Sequence, residues 1–291
     1  MKLKNHTLKS RPFATNKRDL QFAPNLLRIY KYVIGAILIL GLFPSSVTTQ
    51  NNTPVATTSP ANKPAKLVYG ATTGFPPYEY LDAQGNPTGF NVELARELAK
   101  DTGSELEIRS ARWADLVKQF EAGKIDFLSI AYSDSRAKKY DFYPTIWTLR
   151  MALLFVDGRQ SYPQRLDQLS TETVAVQDST LAHELLSELP ETQRPALRIM
   201  SYLDDAIQLL EKRQATVVIS YELALRKVAD ESKTPFVIIP VKSVSFHFVT
   251  QKDRKKQLPD LELAMENIRR SGKFDRLVET YLVAPTESNS W

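Results

Sequence analysis

GFPPYEYLDAQGNPTGFNVELARELAKDTG, Gly74 to Gly103, follows the strand-like run KLVYGAT at Lys66–Thr72 and closes as an amphipathic helix. Pro76 and Pro77 fix the backbone just after that strand, which restricts where Phe75 points. A turn at Gly85 to Pro87 leads into the helix, where Val92, Leu94, Ala95, Leu98 and Ala99 lie near one face. Asn91 stands at the N-cap position and Gly103 just past the end. Strand, loop and helix in this order is the unit of an α/β sheet, and the rest of the chain repeats it.

LEIRSA, Leu106 to Ala111, reads as the second strand. WADLVKQFEAG follows as a short helix with Leu116, Val117 and Phe120 inward and Gly123 as its stop. KIDFLSIAY is a strand running into a loop, and MALLFV, Met151 to Val156, is a buried strand. A second set of elements begins at TVAVQ, Thr173 to Gln177. The helix STLAHELLSELP is capped by Ser179 or Thr180 and closed by Pro190. SYLDDAIQLLEKRQ is a helix with Ser201 as cap and Leu203, Ile207 and Leu210 inward. ATVVIS is a strand, YELALRKVAD a helix, and PFVIIPV and VSFHFVT two further strands. LPDLELAMENIRRSGK and FDRLVETYL end the chain as helices. Alternation of this kind predicts a largely parallel α/β architecture, with two lobes of about 90 to 120 residues each.

The 291 residues are 43% apolar and 24% charged, the composition of a folded globular protein. The formal charge of +5 is misleading, because the first 31 residues hold eight Lys or Arg against the single Asp19. The other 260 residues are near −2, which argues against a nucleic-acid-binding body. After the basic leader comes YVIGAILILGLF, Tyr32 to Phe43, twelve residues without a charge, then small polar residues. That order describes an export signal, and the apolar run is short against the roughly 20 residues of a membrane span. No A-x-A site follows; Val47-Thr48-Thr49 is the candidate cleavage site, and an uncleaved N-terminal anchor is the alternative. The expected organisation is therefore an export signal or anchor over 1–48 and a flexible linker over 49–65. Cysteine is absent, which removes disulfides, thiolate nucleophiles and Cys-ligated zinc.

Motifs for dinucleotides, P-loops, zinc proteases and serine hydrolases are all missing. His183 lies within an amphipathic helix and His247 within an alternating strand, so both are expected at surface or edge positions. Neither a metal nor a cofactor is expected. Recognition groups do stand at strand ends and helix starts, where α/β sheets bind ligands. Phe75, Tyr78 and Trp113 offer stacking faces. Arg136, in the loop SDSRAKKYDF, offers a planar fork suited to a carboxylate. Asp178-Ser179-Thr180, between a strand and a helix, offers free backbone N–H groups to an anion. Each has a plainer reading, as core aromatic, solvated charge or helix cap.

In order and context, PPYEY, G-x-x-x-GF-x-V-x-LA, W-x-x-L, the G-K-x-D of GKIDF, SDSR before DF, and the closing SGKFDRLVETYL resemble the family 3 extracellular solute-binding proteins. These are the polar amino-acid receptors of ABC importers, and the resemblance covers roughly Lys66 to Leu282. It implies a type II periplasmic-binding-protein-like fold, two α/β lobes joined by two hinge strands with a ligand cleft between them. Lobe 1 would be 66–148 plus 246–285, lobe 2 149–245, and the tail 286–291, with hinges near Trp147–Arg150 and Ser243–Ser245.

The resemblance implies roles for individual residues. Phe75 and Trp113 match the aromatics that cover the two faces of the ligand, and Arg136 matches the arginine that clamps its carboxylate. Ser129 and Ala131 match backbone and hydroxyl contacts, although Ala131 replaces the usual Thr. Gln177, Ser179, Thr180 and Leu181 match the second-lobe loop that completes the carboxylate site. Ser220 and Tyr221 stand where an acid usually binds the α-amino group, and Glu222 would substitute if the register slips by one. The implied function is an exported, monomeric receptor that closes on a small carboxylate-bearing, amino-acid-like solute and presents it to an ABC permease. Two alternatives stay open: a ligand-sensing domain for a membrane signalling partner, and a cyclohexadienyl dehydratase-like enzyme.

Overall fold

The computed structural model describes residues 65–283. The expected export segment, most of the linker and the C-terminal tail lie outside the described residues. The chain opens with β1 (Lys66–Thr72), β2 (Gly74–Phe75), β3 (Glu79–Leu81) and β4 (Pro87–Thr88), followed by α1 (Phe90–Asp101). β5 (Glu105–Ala111), α2 (Trp113–Glu121), β6 (Leu128–Ala131) and α3 (Asp134–Lys139) come next, then the long β7 (Tyr140–Val156). β8 (Thr173–Gln177), α4 (Leu181–Ser187), β9 (Ala196–Met200), α5 (Asp205–Glu211), β10 (Val217–Tyr221) and α6 (Glu222–Asp230) form the second set. A second long strand, β11 (Phe236–Gln251), leads to the closing helices α7 (Leu261–Arg270) and α8 (Lys273–Tyr281).

β1 pairs in parallel with β5, and a single bridge at Tyr69 ties it to Phe127, just before β6. Six strands form the larger sheet in the order β6-β11-β7-β10-β8-β9. Its spine is the antiparallel pair of β7 and β11, 17 and 16 residues long, which at about 3.3 Å per residue extends for some 50 Å. β6 lies on β11 at Phe246–Val249, whereas β10 lies on the opposite half of β7 at Met151–Leu154. The two long strands thus run continuously from one α/β half into the other.

The apolar alternation of β1 buries Leu67, Tyr69 and Ala71 beneath Phe90, Leu94 and Leu98 of α1. In the second half, Val174 and Val176 of β8 and Val217 and Ile219 of β10 belong to the same buried cluster, while Ala206 and Leu210 of α5 pack with Val218.

Several local expectations change. PFVIIPV and VSFHFVT are one strand, not two, with the register slipping between Pro240 and Lys242, where proline withholds an N–H from the ladder. α1 begins two residues earlier than expected, with Gly89 at the cap, so Asn91 is inside the helix and buried. The cap of α5 is Asp204 rather than Ser201. Thr180, not Ser179, caps α4, its hydroxyl accepting from the His183 amide at 3.3 Å.

Candidate functional site

Between the two halves lies a cavity of about 50 Å³. β1, β2 and β6, with the first residue of α2 and Arg136 of α3, supply one wall, and the β8–α4 and β10–α6 junctions supply the other. Of the residues expected at the site, Phe75, Trp113, Ser129, Ala131, Arg136, Gln177, Thr180, Leu181 and Tyr221 line it. Ser179 and Glu222 are not among its lining residues.

The apolar part is an aromatic box drawn from both halves. The ring of Phe75 lies 4.8 Å from Tyr78, 5.6 Å from Tyr221 and 6.4 Å from Phe246 by centroid, and Tyr221 meets Phe246 edge-on at 5.1 Å. These separations fall in the range where aromatic pairs attract beyond simple burial. Tyr221 is buried, and burial pushes its phenol well above the usual tyrosine range, so it is a neutral hydroxyl. Met151, Leu181 and Ile219 add aliphatic surface.

Arg136 forms the charged corner. Nε donates to Glu184 Oε2 at 2.9 Å, Nη1 to the Ala131 carbonyl at 3.1 Å and Nη2 to the Ser179 carbonyl at 3.3 Å. Ser133, whose hydroxyl caps α3, also donates to Glu184 Oε1 at 2.7 Å. Ser179 presents its carbonyl because its backbone is left-handed, at φ 60°, and the same oxygen accepts from Trp113 Nε1 at 2.9 Å. A non-glycine residue in that region is strained, a state found where surrounding contacts enforce it. Here the Ser179 amide also donates to His183 Nδ1 at 3.3 Å. Arg136 and Trp113 therefore reach across the cleft. On their other side lies a second, more polar chamber of about 400 Å³, lined by Lys118, Glu121, Lys139, Tyr140, Ser179 and Glu184.

Glu79, in the cavity lining, is not among the expected site residues. Its Oε1 accepts from Tyr69 Oη at 2.6 Å, from Asn91 Nδ2 at 3.0 Å and from Ser129 Oγ; its Oε2 accepts from the Thr72 amide at 2.9 Å. Burial raises its carboxyl above the usual range despite these four bonds. The network explains two departures from expectation: Asn91 serves Glu79 rather than a cap, and the Ser129 hydroxyl points into the network. An acid inside the aromatic run PPYEY was the available signal.

Glu222 is also buried, but it is taken up elsewhere. Its Oε1 accepts from Arg226 Nη2 at 2.7 Å, and Arg150 Nε lies 2.5 Å from Oε2 as an ion pair without hydrogen-bond alignment. Glu184, Thr72 and Phe246 were likewise missed, and Glu184 carries no sequence signal that separates it from a solvated helix carboxylate.

Two α/β halves sharing a pair of continuous strands, with a lined cavity between them, make up the two-lobe architecture of periplasmic binding proteins. The chain belongs to the bacterial extracellular solute-binding proteins, family 3, whose model matches residues 67–284. An L-cystine-binding protein of Escherichia coli K12 is 29% identical over 124 residues, 42% of this chain and 47% of that protein. An arginine-binding extracellular protein of Bacillus subtilis is 30% identical over 126 residues, 43% of this chain and 48% of that protein. The chain thus spans about half the length of these two relatives. A solved histidine kinase sensor domain with similarity to periplasmic binding proteins superposes with a TM-score of 0.69 at 24% identity, covering 76% of this chain and 97% of that one, a likeness of fold. The family is extracellular, and no helix among the described residues is long and apolar enough to cross a membrane.

Proposed function

We propose that this chain is an exported receptor that closes on a small carboxylate-bearing, amino-acid-like solute and delivers it to an ABC permease. The observation that carries this reading is Arg136 in the cavity wall. A guanidinium has five N–H donors, and three acceptors of the protein engage Arg136, which leaves donors for a ligand oxyanion. The aromatic box beside it suits an apolar ligand body, and the names of the curated relatives support a solute of amino-acid type.

The lobes are assigned to 66–148 plus 246–285 and to 149–245, residues 284 and 285 being outside those described. The hinges are assigned to the paired stretch Thr148–Arg150 and Ser243–Ser245, where the sheet neighbour changes from β6 to β10. A ligand touching both walls stabilises closure by contacts that the open form lacks. A receptor is favoured over an enzyme because, among the described residues, Glu79 is the one carboxylate in the lining, it is engaged by four donors of the protein, and no histidine joins it there. Native purification followed by mass spectrometry of released small molecules identifies the solute. Its re-addition raises the melting temperature with concentration, and Arg136→Ala abolishes that shift. A shift undiminished in Arg136→Ala refutes the carboxylate reading.

A further inference from the structure

The cavity offers a ligand one cationic group, Arg136, and one carboxylate, Glu79. Glu79 is buried and already engaged by four donors of the protein. Its Oε1 accepts from Tyr69, Asn91 and Ser129 and its Oε2 from the Thr72 amide, and the residue is 2% exposed. Glu222, the next acid along the chain from Tyr221, is neutralised by Arg150 and Arg226. Glu184 is held on the far side of Arg136, against the outer chamber. Among the described residues, then, no unpaired anion lines the cavity.

Hydroxyl-bearing residues stand in its lining instead. Thr72 lines the cavity at 5% exposure, and its Oγ1 is buried without any hydrogen-bond partner. The phenol of Tyr221 makes no hydrogen bond to the described residues, and Ser220 stands beside it in the lining. A buried hydroxyl left unpaired is destabilising, so Thr72 Oγ1 calls for a polar partner. A hydroxyl both donates and accepts, and it pairs fully with another hydroxyl or a carbonyl. An ammonium placed among these groups and the rings of Phe75, Tyr221 and Phe246 would be desolvated without a counter-charge.

The geometry points to a ligand class: we propose that the cleft selects small carboxylates whose second polar group is an uncharged hydroxyl or carbonyl, 2-hydroxy and 2-oxo acids with a short aliphatic body, over the matching α-amino acids. The proposal rests on the reading of the chain as a carboxylate receptor through Arg136. The cavity volume of about 50 Å³ favours a small ligand with a short aliphatic body.

The test is calorimetric titration of the full chain with valine, 2-hydroxyisovalerate and 2-oxoisovalerate, which share a body and a carboxylate and differ only at the α position. The hydroxy or the oxo acid is expected to bind about tenfold or more tightly than valine. Tyr221→Phe and Thr72→Val keep the shape of the wall and remove one hydroxyl each, and each reduces that preference several-fold. Equal or tighter binding of valine overturns the proposal and leaves the carboxylate-receptor reading standing. A preference unchanged in both variants also overturns it. Failure of all three solutes to bind overturns both.

Discussion

Replacing Glu184 with glutamine tests whether the Arg136 corner is a latch between the lobes. Glu184 belongs to α4 of the second lobe, whereas Arg136 and Ser133 belong to the first, so its two hydrogen bonds cross the cleft. Glutamine keeps the size but removes the charge, and its amide sets a donor against one of the two donors now satisfied. A hydrogen bond to a charged group contributes about 1.5–3 kcal/mol, and the lower end applies here because the two side chains are 11% and 20% exposed and partly screened. About 1.5 kcal/mol corresponds to a shift of roughly tenfold in the ratio of closed to open molecules. The cysteine-free sequence makes the assay direct, since Lys100→Cys on α1 and Lys212→Cys just after α5 place one label on each lobe at exposed sites. Ligand-free Glu184→Gln should show a longer, broader distance distribution between the labels, with a melting temperature lower by about 3–6 °C. Unchanged distances together with that melting loss would refute the latch and leave an ordinary structural hydrogen bond.

His247, half-buried on β11, has its ring pKa lowered from 6.5 by this partial burial, with Nδ1 2.9 Å from the Tyr143 carbonyl and Nε2 2.8 Å from Ser245 Oγ. The unfolded chain therefore binds its proton at higher pH than the folded one, and this contribution to stability is present above 6.5 and lost as pH falls through the lowered value. Urea midpoints measured between about pH 5 and 8 should fall on the acid side, and His247→Gln should flatten that fall; a slope unchanged in the variant would assign it to other groups. Gly89→Ala forces a side chain onto φ 113° with its Cβ 2.5 Å from the Tyr78 carbonyl oxygen, and should cost about 1–3 kcal/mol as a lower urea midpoint at constant m-value.

The order of strands and helices was legible because apolar spacing and turn residues act locally. α7 and α8 appear where LPDLELAMENIRRSGK and FDRLVETYL place them, with the Asp260 side chain accepting from the Leu263 amide as the cap. The boundary of α1 was misread, because Asn91 is equally suited to cap a helix or to donate to a buried carboxylate, and only the position of Glu79 decides between them. The junction at Pro240 was misread for a similar reason: proline breaks a ladder locally, but the pairing of β11 with β7 on both sides carries the strand through.

The sequence by itself determined the family, the alternating α/β elements and the short motifs that hold Phe75, Trp113 and Arg136, because each depends on residues close together in the chain. Tertiary structure alone decided which polar groups are spent and which are free. Glu184 lies 48 residues from Arg136 and Ser129 lies 50 from Glu79, so their pairing depends on how the sheet brings distant segments together. Electrostatics and hydrogen bonding act over a few ångströms of space, whatever the separation along the chain. The same geometry turns Glu222 away onto Arg150 and Arg226 and keeps Tyr221 and Thr72 in the cavity lining.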